Sequence, residues 1–358
     1  MIVHIREMSV EKKMWLDNTT FNNGIALCQM IPGASAMQTA AYVGFKLRGV
    51  AGAGVSFAGF GLPAFVIMMI FSIIYSETYT IDKVISAFKG LQVIIISIIA
   101  NAVISFGKNS IKTLRNFLIA ITAATLFFFG LHPVVVIIIS ALLGIMLVDH
   151  KIETQAQLEP KEKINTNKII AAIIVSIIIY FILLYHLNIN LFNLSLLMLR
   201  IDLFAFGGGF SSIPLMYHEV VEKYAWLQRE TLLNGIALGQ ITPGPIVITA
   251  TFIGYMMEGV AGAIIATISI FTPSFLMVIG IEPYFHKLKS FKHFSTAIDG
   301  VLCCFVGLLL SVAVSFALNI SWDYRLIIIS TLSFIALLLK VNIIWIVLAG
   351  IIFSIIIF

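Results

Sequence analysis

The stretch Asn234–Pro245, NGIALGQITPGP, interrupts an apolar run that has the character of a helix. After the Pro-Gly-Pro sequence, the run resumes as IVITATFIG over residues 246–254. Proline cannot donate a backbone N–H and clashes with the preceding turn, so the pattern argues against one continuous helix. It predicts two short helices that meet at a break, with Pro245 in the first turn of the second helix.

Composition places this break inside a membrane. The 358-residue chain is 60% hydrophobic and 11% charged, with a mean hydropathy of +1.06, whereas a soluble domain is about 45–50% apolar and about 25% charged. Apolar runs long enough to cross a hydrocarbon core of about 30 Å recur along the chain. We therefore expect an all-α, polytopic integral membrane protein, in which irregular backbone must be buried or line a wet cavity. The net charge of +5 is spread over loops and indicates cytoplasmic positive charge, not nucleic-acid binding.

The broken segment is duplicated. Three stretches of the first half align in order with three of the second: Trp15–Gly33 with Trp226–Gly244, Gly44–Ala53 with Gly254–Ala263, and Pro63–Phe65 with Pro273–Phe275. Chance similarity between apolar sequences gives scattered Ile and Leu matches, but not Trp, Asn, Gln and Pro-Gly in the same order. Paired broken segments at corresponding places in two halves point to a transporter binding site.

The duplication predicts the organisation of the chain. Residues 1–149 form an N-terminal transporter repeat and residues 169–358 a C-terminal repeat. The polar stretch between them, residues 150–168, reads as a linker in which acidic and basic residues nearly cancel. The sequence leaves open whether the short broken pieces cross the membrane or re-enter it.

Two ionisable residues lie within an apolar segment, Arg200 and Asp202 in LLMLRIDLF. Such residues are costly inside a spanning helix and by default mark a pathway or a pair. Residues two apart on a helix point in different directions, so these two do not simply neutralise each other. We predict that Arg200 binds substrate and that Asp202 is a candidate for proton coupling. The alternative is that Arg200 snorkels to the membrane interface.

A run of three glycines follows, Gly207, Gly208 and Gly209. Glycines expose backbone N–H groups and permit close approach, which suits an anion nest. They equally suit a tight bend or helix packing. The run is not a phosphate-binding loop, because no Gly-Lys-Ser/Thr follows it.

The helix after each break presents unpaired N–H groups and the positive end of its dipole, which together bind oxyanions. The predicted substrate-binding residues at the breaks are Gln29, Pro32 and Gly33 in the first half, and Gln240, Thr242, Pro243 and Gly244 in the second. Further donors are available from Ser35, Gln38, Thr39, Thr249 and Thr251. The buried amides either bind substrate or hold carbonyls that the break sets free.

Groups suited to catalysis are sparse. The sequence His218-Glu219-Val220-Val221-Glu222 lacks the second His of a metalloprotease motif, and we interpret it as a solvated amphipathic face. Glu219 and Glu222 are further candidates for proton coupling. The three cysteines lie in apolar segments with no zinc or disulfide spacing. We therefore predict no metal, no cofactor and no enzymatic activity.

Several segments of the chain resemble the chromate ion transporter family in its long, two-module form. They are Phe204–Phe210, Glu222–Leu227 and Gly239–Pro245 in the second half, and Glu11–Leu16 and Cys28–Gly33 in the first half. The resemblance implies a multi-pass protein of the prokaryotic plasma membrane whose two halves are inverted repeats. It also implies export of chromate, driven by the proton gradient and conferring chromate resistance, with sulfate as a related substrate. Two features depart from the family: a first span and a glycine motif expected before residue 1 are missing, so the first repeat reads as incomplete, and Ala34 replaces the second proline of the first break.

The leading hypothesis is therefore a carrier of a tetrahedral oxyanion, chromate or sulfate, that works in the lipid bilayer, with a homodimer left open. A carrier for a cation or a neutral metabolite is the alternative, and it predicts that Asp202 or Asp299 controls binding instead of Arg200. A membrane enzyme acting on lipid or phosphate esters would need His218 with Glu219. The duplication then predicts a His in the first half, where Glu7 stands.

Overall fold

The computed structural model of the protein describes residues 1–147, 167–285 and 291–358, and within these ranges every regular element is helical. The helices are α1 Ile2–Arg6, α2 Asn18–Met30, α3 Ser35–Thr78, α4 Asp82–Ser110, α5 Leu114–Phe128, α6 Pro133–Leu147, α7 Asn167–Leu187, α8 Ile189–Phe204, α9 Ser212–Met216, α10 Arg229–Ile241, α11 Thr249–Ile281, α12 Lys292–Leu318, α13 Tyr324–Leu338 and α14 Ile343–Ile357. Short π-helical segments extend α1 and α9, over Glu7–Lys12 and Tyr217–Lys223. A 3-10 turn, Ile246–Ile248, leads into α11.

The predicted linker, residues 150–168, lies outside the described residues except for its last two, which begin α7. The division into two repeats at this point stays a prediction.

The two long helices α3 and α11 are folded back on themselves. In α3 the backbone leaves the helical conformation at Arg48 and Gly49, where φ of Gly49 is +60°. A Cβ placed on Gly44 would lie 2.2 Å from the Gly52 carbonyl oxygen, whereas eight residues of straight helix span about 12 Å. The arms 35–47 and 50–78 therefore run antiparallel.

The second long helix bends in the same way. In α11 the backbone leaves the helical conformation at Glu258 and Gly259, where φ of Gly259 is +58°. A Cβ on Gly254 would lie 2.3 Å from the Gly262 carbonyl oxygen. Only residues without side chains allow two helical arms to come this close.

The two short pieces at each break pack against each other. The Tyr42 ring of the first α3 arm lies on Gly24 of α2, and the Tyr42 hydroxyl donates to the Thr20 carbonyl oxygen at 3.2 Å. In the second half, the Phe252 ring lies on Gly235 of α10 in the same manner. Each break is thus the tip of a helical hairpin, and re-entry of these hairpins into the membrane stays a prediction.

Side-chain caps explain where several helices begin. Asp17 accepts from the Thr20 N–H at 2.6 Å before α2, Asp323 accepts from the Leu326 N–H at 2.8 Å before α13, and Asn342 caps α14. Such caps satisfy N–H groups that a helix leaves unpaired at its start. The short loops between neighbouring helices are therefore fixed locally.

The prediction of an all-α polytopic membrane protein is confirmed. Among the described residues, four helical segments are long and apolar enough to cross a bilayer: Ser35–Thr78, Asp82–Ser110, Ile246–Tyr284 and His293–Leu318. Helix α12 packs against α4, α5 and α6, and α11 packs against α8 and α3. Large apolar side chains also point outward along the second arm of α3, among them Leu62, Val66 and Ile70, as expected for a surface that faces lipid. The inverted relation of the halves stays a prediction.

Candidate functional site: two helix breaks joined by a glycine segment

The first break is tied to the second half of the chain by backbone hydrogen bonds. The Gly33 N–H donates to the Ala205 carbonyl oxygen at 2.8 Å, and the Ala34 N–H donates to Ser274 Oγ at 3.2 Å. Gly33 has φ +114°, and a Cβ there would lie 1.8 Å from Ser274 Oγ. Only glycine fits this position, both for its backbone conformation and for its space.

Asp202 lies beside this break and is fully buried. Its Oδ2 accepts the Ser274 N–H at 2.8 Å and the Ser274 hydroxyl at 2.7 Å. Ser274 therefore joins the Asp202 carboxylate to the Ala34 N–H. Two acceptor atoms here have no hydrogen-bond partner among the described residues, Asp202 Oδ1 and Gln38 Oε1.

The second break rests on the long helix of the first half. A Cβ on Gly244 would lie 2.4 Å from the Ala64 Cβ, just as Gly33 lies on Ser274. Pro245 is the N-cap of the 3-10 turn, with extended backbone. It therefore precedes the first turn, and the prediction that placed it within that turn is wrong. The side-chain donor Gln240 Nε2 is buried without a partner among the described residues.

The segment 205–209 connects the two breaks. At one end, Ala205 accepts the Gly33 N–H, and a Cβ on Gly208 would lie 3.5 Å from Ser35 Oγ. At the other end, a Cβ on Gly209 would lie 2.8 Å from the Ile246 side chain. The start of α3 and the turn leading into α11 therefore both lie against this segment.

Positive backbone angles shape the segment. Gly207 has φ +87° and Gly208 has φ +103°, a conformation that L side chains rarely adopt. The structure thus brings together the predicted glycines and both predicted breaks. Two helix starts, each the positive end of its helix dipole, lie against this glycine segment, an arrangement that suits a small anion.

A cavity of about 950 Å³ reaches this segment. Gln29, Gly207 and the acidic Asp299 lie at its wall. The other polar side chains that line it are Asn109, Ser110, Lys112, Thr113, Arg115 and Asn116. The cavity therefore offers a polar route, with two basic residues, from the end of α4 and the start of α5 to the glycines.

Arg200 belongs to a separate cluster of charged residues. Its Nη2 donates to Glu219 Oε1, while Lys223 Nζ donates to Glu219 Oε2 at 3.1 Å. His132 Nε2 lies 3.1 Å from Glu219 Oε1. Burial lowers the pKa of His132, an effect that the Glu219 carboxylate opposes. The cluster lies at the turn between α5 and α6, at the other end of α5 from Arg115.

Glu222 belongs to the same region, because His218 Nδ1 lies 3.0 Å from Glu222 Oε2. Tyr217, His218, Glu219 and Val220 are all buried. The interpretation of this segment as a solvated amphipathic face is therefore wrong: the π-helical turn rotates it towards the core. Within the described residues, no group of three His, Cys, Asp or Glu side chains could hold a metal ion.

Most of the predicted hydroxyl donors are already engaged with their own helices. Thr242 donates to the Gly239 carbonyl and Thr249 to the Ile246 carbonyl, both at 2.8 Å, and Thr39 donates to Ser35. Pro243 and Gln29 are exposed. Asn234 bridges Gln92 and Tyr75. The hydroxyl groups of these threonines and the amide of Asn234 thus have partners within the protein, and substrate binding by Thr242 stays a prediction.

Sequence reasoning missed three parts of the site. Ser274 follows the repeated Pro273, so the alignment of Pro63–Phe65 with Pro273–Phe275 contained a signal for it. His132 in the α5–α6 turn and the basic residues of the cavity carried no signal, because they come close to the site only through helix packing.

Comparison with known proteins agrees with this architecture. The family model described as chromate transporter matches residues 1–145 and 192–355. The chain is 43% identical to an uncharacterized transporter of Methanocaldococcus jannaschii over 354 residues, covering 98% of this chain and 88% of the relative. It is 27% identical to the chromate transport protein of Cupriavidus metallidurans over 302 residues, which cover 83% of this chain and 73% of that protein. It is 25% identical to the chromate transport protein of Pseudomonas aeruginosa over 307 residues, which cover 85% of this chain and 73% of that protein.

No solved structure matches the chain. The family match extends over both halves and includes both helix breaks and the glycine segment. The chain therefore belongs to the chromate transporter family, a family of membrane transport proteins and not of enzymes.

Proposed function

We propose that this protein carries chromate out of the cell and binds it between the two helix breaks, against Gly207, Gly208 and Gly209. The observation that carries the proposal is the contact of segment 205–209 with both breaks: Ala205 bonds Gly33, and Gly209 lies against Ile246. Family membership independently supports chromate as the substrate.

The physical basis is electrostatic. Each helix start contributes the equivalent of about half a positive charge and several N–H donors. Neither the dipole nor the N–H groups require a full cation to be desolvated. Gln240 Nε2, buried without a partner among the described residues, is a further donor at the second break. Sulfate shares the tetrahedral shape and double charge of chromate, so we propose sulfate as a second, competing substrate.

The cavity supports a path to this site. It reaches Gly207 from the side on which Lys112 and Arg115 lie, and basic walls raise the local concentration of anions. On the other side, Glu219 joins Arg200 of α8 to His132 in the α5–α6 turn. This arrangement supports a state with access to the site from one face of the membrane.

The outward direction has a simple driving force. An inside-negative membrane potential is worth about 2.3 kcal/mol per elementary charge per 100 mV. A dianion leaving the cell gains about twice that amount. Export of chromate is therefore favourable along the potential, before any coupling to protons.

The test is radiolabelled chromate flux in vesicles that contain the purified full chain. We expect flux above that of empty vesicles, faster export than import under an inside-negative potential, and competition by sulfate. Flux equal to that of empty vesicles at either polarity would refute the proposal. Chromate flux that sulfate does not inhibit would refute only the proposal that sulfate is a second substrate.

Arg200 gives a sharper prediction about the site. Because Glu219 holds the guanidinium, an anion that reaches Arg200 must compete with that carboxylate. If Arg200 takes part in binding, Arg200→Ala weakens chromate binding about tenfold, the value of one charge-assisted hydrogen bond. Glu219→Gln releases the guanidinium and tightens binding by a similar factor. Equilibrium binding of radiolabelled chromate measures both.

Lys108→Ala is the control, since this exposed lysine also removes one positive charge but does not line the cavity. Unchanged affinity in both Arg200→Ala and Glu219→Gln would take Arg200 out of the site. Binding would then rest on the backbone groups and on Gln240 Nε2. Glu219 and Glu222 would remain candidates for proton coupling.

We also propose that residues 1–149 and 169–358 are inverted repeats. The bend residues Gly49 and Gly259 have φ +60° and +58°, and Met14 and Ala225 have φ +48° and +49°. Each break packs on the long helix of the other half, Gly33 on Ser274 and Gly244 on Ala64. Such reciprocal contacts support two halves that face each other across the site.

The alternative of a cation carrier receives less support. A cation needs acceptor atoms, and the first break offers two without a partner among the described residues, Asp202 Oδ1 and Gln38 Oε1, but the second break offers a donor, Gln240 Nε2. That alternative would make Asp202 or Asp299 the residue that sets substrate affinity.

A further inference from the structure

The first break contains two buried acceptors that lack a donor. Asp202 Oδ1 and Gln38 Oε1 have no partner among the described residues, and both side chains are fully buried. The Gln38 amide cannot be turned round, because its nitrogen donates to the Pro32 carbonyl oxygen at 2.5 Å. Burying an acceptor without a donor is costly. The first break is therefore arranged to receive a donor.

The second break has the opposite deficiency. Its buried group without a partner among the described residues is a donor, Gln240 Nε2. An anion bound there supplies acceptor atoms, and a proton on Asp202 supplies a donor at the first break. The two corresponding breaks thus lack different partners: the first break lacks a hydrogen-bond donor and the second break lacks an acceptor.

We propose that Asp202 is a proton site, whose Oδ1 takes up one proton from solution for each anion bound at the second break. This inference rests on the proposed oxyanion transport. The proton adds to a carboxylate lone pair, and no other covalent bond forms or breaks. The neutral carboxyl group then presents an O–H donor at the break where Gln38 Oε1 is an acceptor. Ser274 keeps its bonds to Oδ2.

The coupling is electrostatic and passes through adjoining backbone. The Ala205 N–H donates to the Asp202 carbonyl oxygen at 3.2 Å, so the glycine segment begins directly after the carboxylate. An ionised Asp202 repels a dianion bound along that segment, and in the protein interior this repulsion is only weakly screened. Neutral Asp202 removes it, so proton and anion bind cooperatively.

Other charged groups do not take over this role. The group that faces the carboxylate from α11 is Ser274, which is uncharged, and Arg200 on α8 faces Glu219. The remaining acidic or basic residues on the two long helices that approach Asp202 are Lys46, Arg48 and Glu77 on α3 and Glu258 on α11. The three on α3 lie eight or more residues beyond Gln38, and Glu258 lies sixteen residues before Ser274, so each is about two or more helical turns away.

The experiment measures the chromate Kd of the purified full chain at a series of pH values. For the wild type, one coupled proton tightens binding about tenfold per unit fall in pH, over the range in which Asp202 is ionised. Asp202→Asn keeps the shape and stays neutral, so it loses this dependence. Chromate itself takes up a proton near neutral pH, and the slope of the Asn variant supplies that baseline. Glu77→Gln, an exposed carboxylate on α3, keeps the wild-type slope.

A second variant covers the case in which Asp202→Asn does not fold. Ser274→Ala removes a donor that stabilises the ionised carboxylate. The pH at which the slope changes then rises by about one unit, while Ser274→Thr, which keeps the hydroxyl, restores it. A merely structural role for Ser274 would lower affinity equally at every pH.

The outcomes separate the two proposals. If the wild type neither binds nor transports chromate at any pH, the proposed function fails. If it transports chromate but Asp202→Asn and Ser274→Ala follow the wild-type pH profile, the proton site is overturned and transport stands. The proton site is also overturned if affinity depends on sodium concentration and not on pH.

Discussion

Gly33→Ala is expected to abolish chromate transport. The new methyl group would lie 1.8 Å from Ser274 Oγ, at a position whose φ is +114°. Ser274 must then move, which breaks its bonds to Asp202 and to the Ala34 N–H. Backbone strain and the lost bonds to a buried carboxylate each cost about 1–3 kcal/mol. A total of about 3 kcal/mol lowers chromate affinity about 100-fold, and vesicle flux with binding of radiolabelled chromate measures the loss.

Two glycines serve as controls for this substitution. Gly49 also has a positive φ, +60°, but has nothing within 4 Å of the added methyl. Gly49→Ala therefore carries only the strain of a left-handed residue, about 1–2 kcal/mol. Gly59 lies in a helical arm with open space around it, so Gly59→Ala is expected to be neutral or stabilising. If Gly33→Ala transports as well as Gly49→Ala, the contact between the first break and Ser274 is not needed for function.

Gly254→Val is expected to prevent the second hairpin from closing. A Cβ at this position would lie 2.3 Å from the Gly262 carbonyl oxygen. The obstacle is backbone, so no rotation of a side chain relieves it, and the two arms of α11 must separate. Overpacking of this kind costs about 1–3 kcal/mol or more. Because the first arm of α11 follows the second break, we expect little folded protein by size-exclusion chromatography and a lower Tm for what remains.

Gly280→Val is the matched control on the same helix, because nothing lies within 4 Å of a Cβ there. It changes helix propensity by less than about 1 kcal/mol and should leave Tm nearly unchanged. Equal Tm values for the Gly254 and Gly280 variants would show that the arms of α11 do not pack as closely in the membrane as described.

The proton site alters the energetics of export without reversing them. A dianion that leaves with one proton carries a net charge of −1, so the membrane potential still favours its exit, by about 2.3 kcal/mol per 100 mV. An alkaline cell interior opposes the outward movement of that proton. The measured proton-to-anion ratio therefore decides how much of the potential the transporter uses.

The sequence determined the class of the protein and the places where its helices break. Proline removes a backbone N–H and clashes with the preceding turn, so Pro32 and Pro243, each next to a glycine, favour a helix end, whereas Pro63 and Pro273 lie inside α3 and α11. Long apolar runs also act locally, because the length and composition of each run match the hydrocarbon core of a membrane. The order of Trp, Asn, Gln and Pro-Gly residues was enough to predict a duplication and to indicate the family, which the comparison confirms.

The tertiary structure alone decided what meets at the breaks. The return of each hairpin depends on close contacts such as Gly44 with Gly52, and the partner of Gly33, Ser274, lies 240 residues from Ala34 along the chain. Arg200 and Asp202 are neighbours in sequence, yet one binds Glu219 and the other Ser274. Hydrophobic burial is non-directional, so the rotation of each helix about its axis, and with it the choice of partner, is set only when all helices pack together.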